Sequence, residues 1–237
     1  MLKKFISLLT VSFLLSGCTG LKSDYRALKR KLSRAKKVKQ VKYKPTSFKK
    51  DFQGAKYATC NISSKTKKSL IKAGVSKKML NQFEKSIKGK KCRVDHNNHV
   101  LIDFNKSIKS NRLYVISLND GGSLVYKTKV SHGKKSGNKY ATKFSNKPGS
   151  NKTSLGLYKI TSREKRTTGK FSIIVSGLDK KRNSNAHGRL ITMHRAWYMN
   201  GRTGRSLGCF ALSDKSLYKI GDINVLGNYL YAYHKTL

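Results

Sequence analysis

Residues 189–212 hold the residue types in this chain that best suit nucleophilic chemistry. An apolar run, 190–193, is short enough for a buried strand and ends at His194, and a turn-rich basic segment then leads to Cys209. A nearby imidazole can take the proton of a thiol and leave a nucleophilic thiolate. The residue types alone fit this pair, and they fit equally an inert buried cysteine beside an unrelated histidine.

Small residues precede the cysteine. Gly208 allows the backbone to approach a bound carbonyl closely and to adopt a positive φ. The amides of Gly208 and Cys209 are therefore predicted to face a developing oxyanion. Ser206 is predicted either to hydrogen-bond His194 or to shape the turn, and the residue types leave both roles open.

These residues carry a resemblance to a known family. Fourteen residues separate His194 from Cys209, and this spacing with Ser206-x-Gly-Cys resembles the catalytic signature of YkuD-type L,D-transpeptidases. The similarity is greatest to the murein L,D-transpeptidase catalytic-domain branch, and it covers roughly residues 96–234. The segments that match this branch are IDF (102–104), NRLYVISL (111–118), SHGKKSGNKYATKFSNKPGS (131–150), SLGLYKI (154–160) and GRSLGC (204–209).

The resemblance implies an activity on the peptide stems of bacterial peptidoglycan. Cys209 would form a thioacyl-enzyme from a tetrapeptide stem, with His194 as the general acid and base, and an amine of a second stem would complete a 3–3 cross-link. Neither a cofactor nor a metal is expected. Water as acceptor would instead make the protein an L,D-carboxypeptidase, and attack on an existing 3–3 bond would make it an endopeptidase. The sequence leaves the acceptor open.

The chain departs from the family pattern at two positions beside the cysteine. Leu207 stands where the main branch has histidine, and Phe210 stands where the murein branch usually has proline. The main branch also has an arginine two residues after the cysteine, so a guanidinium for a substrate carboxylate has to come from elsewhere, and Arg205 is the candidate. His132 is interpreted as a substrate contact, a support for the site, or an exposed loop residue. A non-catalytic, lipid-anchored, wall-binding protein is the alternative that these departures favour.

The N-terminus predicts export and a lipid anchor. Residues 1–17 have a positive start and an apolar stretch that is short for a membrane span, and they end before Cys18 in a lipobox-like sequence. The resemblance to bacterial lipoprotein signals implies that Cys18 is lipidated and that the protein faces the periplasm in the cell envelope. Thr19 follows in place of aspartate, and by resemblance to lipoprotein sorting signals this favours the outer membrane. In an exported protein, Cys60 and Cys92 are predicted to form a disulfide, which leaves Cys209 as the odd cysteine.

The charge is strongly one-sided, with 53 Lys and Arg against 10 Asp and Glu and a formal net charge of +43. Such a charge attracts polyanions. Because export is predicted, anionic lipid head groups or acidic envelope polymers are the expected partners rather than nucleic acid. A lysine-rich composition whose charges are only solvated fits the same numbers.

Four regions are predicted along the chain: a signal peptide (1–17), a lipid-anchored basic tether (18–56), a small helical unit (57–95) and the catalytic domain (96–237). Ser63 or Ser64 is expected to cap a first helix that stops at Gly74, and Ser76 a second. From residue 98 the period changes to that of strands. The fold class is therefore mainly β, a β-sandwich or barrel-like domain with a helical unit before it. The strands are expected at 99–104, 112–118, 123–131, 156–161, 171–176, 190–193 and 229–233.

Overall fold

The computed structural model describes residues 52, 54–165, 171–200 and 204–237, all of them in the unit that runs from Ser47 to Leu237. The predicted signal peptide, Cys18 and the predicted tether up to residue 51 lie outside the described residues. The boundaries of the four predicted regions stay a prediction.

Ten strands and three helices make up the regular structure of the described residues. The first part contains β1 (Tyr57–Thr59), α1 (Ser64–Lys72), α2 (Lys77–Ile87) and β2 (Lys91–Arg93). The strands β3 (Asn98–Asp103), β4 (Leu113–Ser117), β5 (Ser123–Thr128), β6 (Gly156–Lys165), β7 (Phe171–Gly177) and β8 (Thr192–Arg195) follow. The last part contains β9 (Phe210–Leu212), α3 (Asp214–Ile223) and β10 (Tyr229–Tyr233).

The two helices of the first part begin at serine caps, as expected. The Ser63 side chain accepts a hydrogen bond from the Thr66 amide at 3.1 Å, and the Ser76 side chain accepts one from the Met79 amide at 3.4 Å. A side-chain oxygen at this position satisfies an amide that has no partner within the helix. Strands β1 and β2 pair with each other, and a disulfide joins Cys60 to Cys92 across a Cα–Cα distance of 5.0 Å.

The other eight strands form one sheet in the order β5-β4-β3-β10-β6-β7-β8-β9. Strand β10 is parallel to β3, and β8 is parallel to β9, while the remaining neighbours are antiparallel. The prediction of a mainly β fold is confirmed. The parallel pairing of β8 with β9 is the part of this topology that positions the candidate site.

Alternation along the strands gives the sheet two buried faces. One face packs against α1 and α2, and its strand residues include Leu101, Tyr114, Leu157 and Tyr231. The opposite face encloses the larger core, with Val100, Ile102, Met193 and Phe210 among its members. Because strands from β3 to β10 all contribute to that larger core, the sheet curls around it.

Two local expectations need correction, and one helix was missed. Leu190 was expected at the start of a buried strand, but it has φ +54° and is 77% exposed, so β8 begins two residues later at Thr192. His194 consequently lies within the strand instead of ending it. Helix α3 was not predicted, although Ser213 caps it by accepting from the Ser216 amide at 3.2 Å.

Candidate active site

Strands β8 and β9 bring the histidine and the cysteine to neighbouring positions. In their parallel register Met193 pairs with Phe210, and His194 pairs with Ala211. Met193 and Phe210 are both fully buried in the larger core, so alternation places His194 on the other face of the sheet. Cys209 directly precedes β9 and is two residues from the partner of His194. Adjacent strands are about 4.8 Å apart, so this register puts both residues in one small region.

The imidazole of His194 is oriented by the backbone. Its Nδ1 lies 2.8 Å from the Arg195 carbonyl oxygen. A carbonyl oxygen only accepts, so Nδ1 carries the hydrogen, and in the neutral ring Nε2 carries the lone pair. This tautomer suits a general base that acts through Nε2. A backbone carbonyl therefore orients the imidazole.

The turn before β9 is held by two serine hydroxyls that converge on one carbonyl. Ser206 Oγ donates to the Cys209 carbonyl oxygen at 2.7 Å, and Ser131 Oγ donates to the same oxygen at 3.3 Å. Ser131 Oγ also accepts from the Ala211 amide at 2.9 Å. Of the two predicted roles for Ser206, these contacts support the shaping of the turn. The Cys209 thiol itself lies 3.5 Å from the Leu190 carbonyl oxygen.

Gly208 has the positive φ that was expected, but its amide is not placed as an oxyanion donor. Its φ of +129° lies in the region that favours glycine, and a Cβ there would lie 3.0 Å from both Arg189 Nη2 and the Lys152 carbonyl oxygen. Its amide, however, donates to Ser206 Oγ at 3.0 Å. The Gly208 amide is thus used inside the turn, and its predicted role as an oxyanion donor does not fit this geometry. The same role for the Cys209 amide stays a prediction.

The two departures from the family pattern, Leu207 and Phe210, differ in burial. Phe210 is fully buried, with its ring 5.5 Å from that of Tyr158 in a T-shaped contact. Leu207 is 64% exposed on the turn before Cys209. The change at Phe210 therefore affects the core, whereas the change at Leu207 alters the surface near the thiol.

Of the three interpretations of His132, its position fits a support for the site. It is fully buried, its Nε2 donates to the Gly137 carbonyl oxygen at 3.1 Å, and its Nδ1 accepts from Arg112 Nη2 at 3.0 Å. Burial, with the neighbouring Arg112 charge, lowers the pKa of His132 to about 4. Neither an exposed loop residue nor a direct substrate contact fits this position. His132 supports the loop that runs beside the Cys209 turn.

Arg205, the candidate for a substrate carboxylate, is exposed and contacts the same loop. Its Nη1 donates to the Gly137 carbonyl oxygen at 3.2 Å and also to the Asn138 side chain. The structure adds a second arginine, Arg189, which the sequence reasoning did not single out. Its guanidinium reaches four oxygens of residues 145–154 and lies against Gly208. Sequence offered no local signal for it, because all four of these oxygens are more than thirty residues away in the chain.

Tyr198 is a further residue of this region that the sequence reasoning missed. It lies half-buried in the single turn Trp197–Met199 after β8, and its ring packs on Gly204. Burial, and then the charge of Cys209, raise the pKa of its phenol. The phenol is therefore within electrostatic reach of the thiol.

In the part of the chain that the structure describes, no group of three or more His, Cys, Asp or Glu side chains is arranged to hold a metal ion. None of the described helices has the length and apolar character needed to cross a bilayer.

Comparisons with known proteins agree with the resemblance stated from the sequence. A family model described as the L,D-transpeptidase catalytic domain matches residues 67–233, well over half of the 237 residues. Curated proteins give no match.

Several solved structures are similar at low identity. An L,D-transpeptidase from Mycobacterium smegmatis is 15% identical, with 58% of this chain and 59% of that chain covered and a TM-score of 0.38. Bdellovibrio bacteriovorus Bd1075 is 17% identical, with 58% of this chain and 48% of that chain covered and a TM-score of 0.40. Mycobacterium tuberculosis L,D-transpeptidase 1 is 14% identical, with 58% of this chain and 62% of that chain covered and a TM-score of 0.34. The chain thus spans roughly half to three fifths of the length of these structures.

Proposed function

The chain belongs to the L,D-transpeptidase catalytic domain family, and we propose that it is a cysteine-dependent enzyme that forms 3–3 cross-links between peptidoglycan stem peptides. The observation that carries the proposal is the β8–β9 register. It pairs His194 with Ala211, and Cys209 is the residue directly before β9. The Nδ1 bond to the Arg195 carbonyl oxygen supports the base role of His194.

The first half of the reaction consumes a tetrapeptide stem. His194 Nε2 takes the Cys209 proton, and the thiolate attacks the carbonyl carbon at the L-configured centre of the third residue. A C–S bond forms, the C–N bond to the terminal D-alanine breaks, and His194 returns the proton to the departing amine. The product is a thioacyl-enzyme and D-alanine. No ATP is needed, because the thioester retains the acyl group in an activated form.

The second half delivers that acyl group to an amine of another stem. The amine attacks the thioester carbonyl, His194 accepts one amine proton, and the Cys209 thiolate leaves and is reprotonated. The new amide is the 3–3 cross-link. The contacts of Ser206 and Ser131 with the Cys209 carbonyl oxygen support this cycle, because they keep the turn in one shape while the thiol changes partners.

The direct test incubates the full-length protein with purified tetrapeptide muropeptides and reads the products by mass spectrometry. A Cys209→Ala variant is the matched control. We expect dimers that have lost one D-alanine, and none with the variant. Tripeptide monomers without dimers would replace the proposal with an L,D-carboxypeptidase. Unchanged muropeptides, together with retained binding to insoluble wall, would replace it with the non-catalytic wall-binding protein.

We also propose that Cys18 is lipidated and holds the domain at the outer membrane, facing the periplasm. The proposal rests on the N-terminal sequence. A lipid anchor and a basic chain would keep the enzyme close to the wall and to anionic envelope polymers. Mass spectrometry of the membrane fraction should find a diacylglycerol adduct on Cys18. A soluble mature chain that starts at another residue would refute the anchor without touching the proposed chemistry.

A further inference from the structure

Arg189 is fixed in place by four oxygens from residues 145–154. Its Nη1 donates to the Ser145 carbonyl oxygen at 2.7 Å and to Ser154 Oγ at 3.3 Å. Its Nη2 donates to the Lys152 carbonyl oxygen at 2.5 Å and lies 3.5 Å from Ser150 Oγ. A planar guanidinium suits such a set of acceptors, and a lysine ammonium could not reach all of them from one position.

The charge of Arg189 is not neutralised by these contacts. All four oxygens belong to backbone carbonyls or serine hydroxyls, and the acidic partners of other arginines in the described chain are Asp95, Asp179 and Asp214. A half-buried guanidinium usually pairs with a carboxylate. This one keeps a net positive charge beside the turn that carries the thiol.

The guanidinium also lies against the residue before Cys209. A Cβ built on Gly208 would lie 3.0 Å from Arg189 Nη2, so glycine leaves the space that the guanidinium approaches. Burial lowers the pKa of Arg189, whereas the negative charge of Tyr158 or Cys209 in its deprotonated form raises it. Electrostatic coupling is mutual, so a charge that is stabilised by a thiolate also stabilises that thiolate.

We propose that Arg189 is a positioning residue whose fixed positive charge, held beside Cys209 by residues 145–154, favours the thiolate form of the nucleophile. The inference rests on the proposed role of Cys209 and deepens it. Among the described residues, His194 on the strand beside β9 and Tyr198 in the turn after β8 are titratable groups of the same region. Imidazolium adds to the effect of the arginine, whereas a neutral phenol does not. Arg189 would supply a charge that does not depend on the protonation of His194.

The experiment measures the alkylation of Cys209 by iodoacetamide between about pH 5 and pH 10 in the full-length protein. The Cys209 peptide is followed by mass spectrometry, so other cysteines do not contribute. In Arg189→Gln the apparent thiol pKa should rise by about one unit, which slows alkylation near pH 6 about tenfold. The matched control is Arg182→Gln, because Arg182 lies in the same segment, is exposed and pairs with Asp179. Its thiol pKa should equal that of the wild type.

A second measurement keeps the proposal testable if Arg189→Gln does not fold. Arg189→Lys retains a charge but moves it, so the ratio of iodoacetate to iodoacetamide reactivity at Cys209 should fall about twofold or more. A thiol pKa and a reagent ratio that stay at the wild-type values in the folded variants, with only the melting temperature lowered, would overturn the proposal and leave Arg189 as a structural tie.

The two proposals fail in different ways. If wild-type protein forms no cross-linked dimers but its thiol pKa rises in Arg189→Gln, the proposed function fails and the electrostatic role of Arg189 stands. If dimers form and the thiol pKa of Arg189→Gln does not change, only the inference fails.

Discussion

His132 and His194 lie on the two segments that flank the Cys209 turn, and their surroundings differ in kind. The loop of His132 is tied to the turn through the Ser206 amide, which donates to the His132 carbonyl oxygen at 2.9 Å. Inside that loop both ring nitrogens of His132 are bonded, one to an arginine and one to a carbonyl. On the other side, β8 gives His194 a backbone acceptor for Nδ1 and leaves the ring half-buried.

The difference shows what decides whether a histidine can act as a base. Deep burial and the Arg112 charge keep His132 neutral, and its only lone pair is used by that arginine. In His194 the carbonyl bond places the hydrogen on Nδ1 and therefore the lone pair of the neutral ring on Nε2. One histidine therefore stabilises a shape, and the other has the tautomer that a base acting through Nε2 needs.

Replacing His194 should slow acyl transfer and should have the largest effect of the changes considered. In His194→Gln we expect acyl transfer to slow by about 100-fold to 10,000-fold, because no group remains to move the proton. The side chain is half-buried and its Nδ1 bonds the carbonyl oxygen of the next residue, so the melting temperature should change little. The rate is measured as dimer formation from muropeptides. A variant that keeps more than a tenth of the wild-type rate would contradict the base role.

Replacing His132 should lower the stability of the protein more than its acyl transfer. His132→Leu leaves the Arg112 Nη2 and the Gly137 carbonyl oxygen without the imidazole, and each lost partner in a buried site costs about 1–3 kcal/mol. We expect the free energy of unfolding to fall by about 3 kcal/mol, as measured by chemical denaturation. Acyl transfer per folded molecule should fall less than in His194→Gln. The reverse order of the two rate effects would mean that the loop, and not β8, carries the chemistry.

Much of the fold could be predicted from the sequence because its signals are local. Alternation and turn residues gave β3, β4 and β10 within a residue or two, and serine caps gave α1 and α2. Leu190 was misassigned because its positive φ, which moves the start of β8, has no signal in an apolar residue. Helix α3 was missed although a Ser-Asp cap precedes it, because the apolar spacing in Asp214–Ile223 is interrupted by charged and small residues.

The candidate site was predictable only where its residues follow each other in sequence. The His194–Cys209 spacing sits in one segment, so the family signature could be recognised. The guanidinium that bonds His132 belongs to Arg112, 20 residues away in the chain, and the carbonyl of Ser145 that accepts from Arg189 is 44 residues away. Such contacts arise from the packing of the loop, and no periodicity or motif in the sequence encodes them.

The free energy of unfolding should depend on pH because two buried histidines, His132 and His99, have lowered pKa values. Burial lowers the pKa of His132 to about 4 and that of His99 to about 3, while an unfolded histidine titrates near 6.5. Below about pH 6.5 the unfolded chain takes up protons that the folded protein refuses. Stability is therefore fully present above that pH and is lost as the pH falls from about 6.5 toward 4.

The expected loss between pH 7 and pH 5 is about 2 kcal/mol for each of these two histidines. Denaturant unfolding at both pH values measures it. The matched comparison is His132→Leu, which should lose about 2 kcal/mol less than the wild type over the same interval because one of the titrating groups is gone. Equal losses in the two proteins would show that His132 is protonated readily in the folded state.

Removing the hydroxyl of Ser206 should have the smallest effect and test how the two flanking segments meet. Ser206→Ala takes away the donor to the Cys209 carbonyl oxygen and the acceptor of the Gly208 amide, while the Ser131 bond to that carbonyl remains. We expect a loss of about 1 kcal/mol in unfolding free energy and about tenfold in acyl transfer, since the turn loosens without losing its reactive groups. Ser184→Ala, an exposed serine distant in sequence, is the control. If Ser206→Ala instead matched His194→Gln in rate while remaining folded, the serine would be acting on the imidazole, and the turn-shaping role assigned to it here would be wrong.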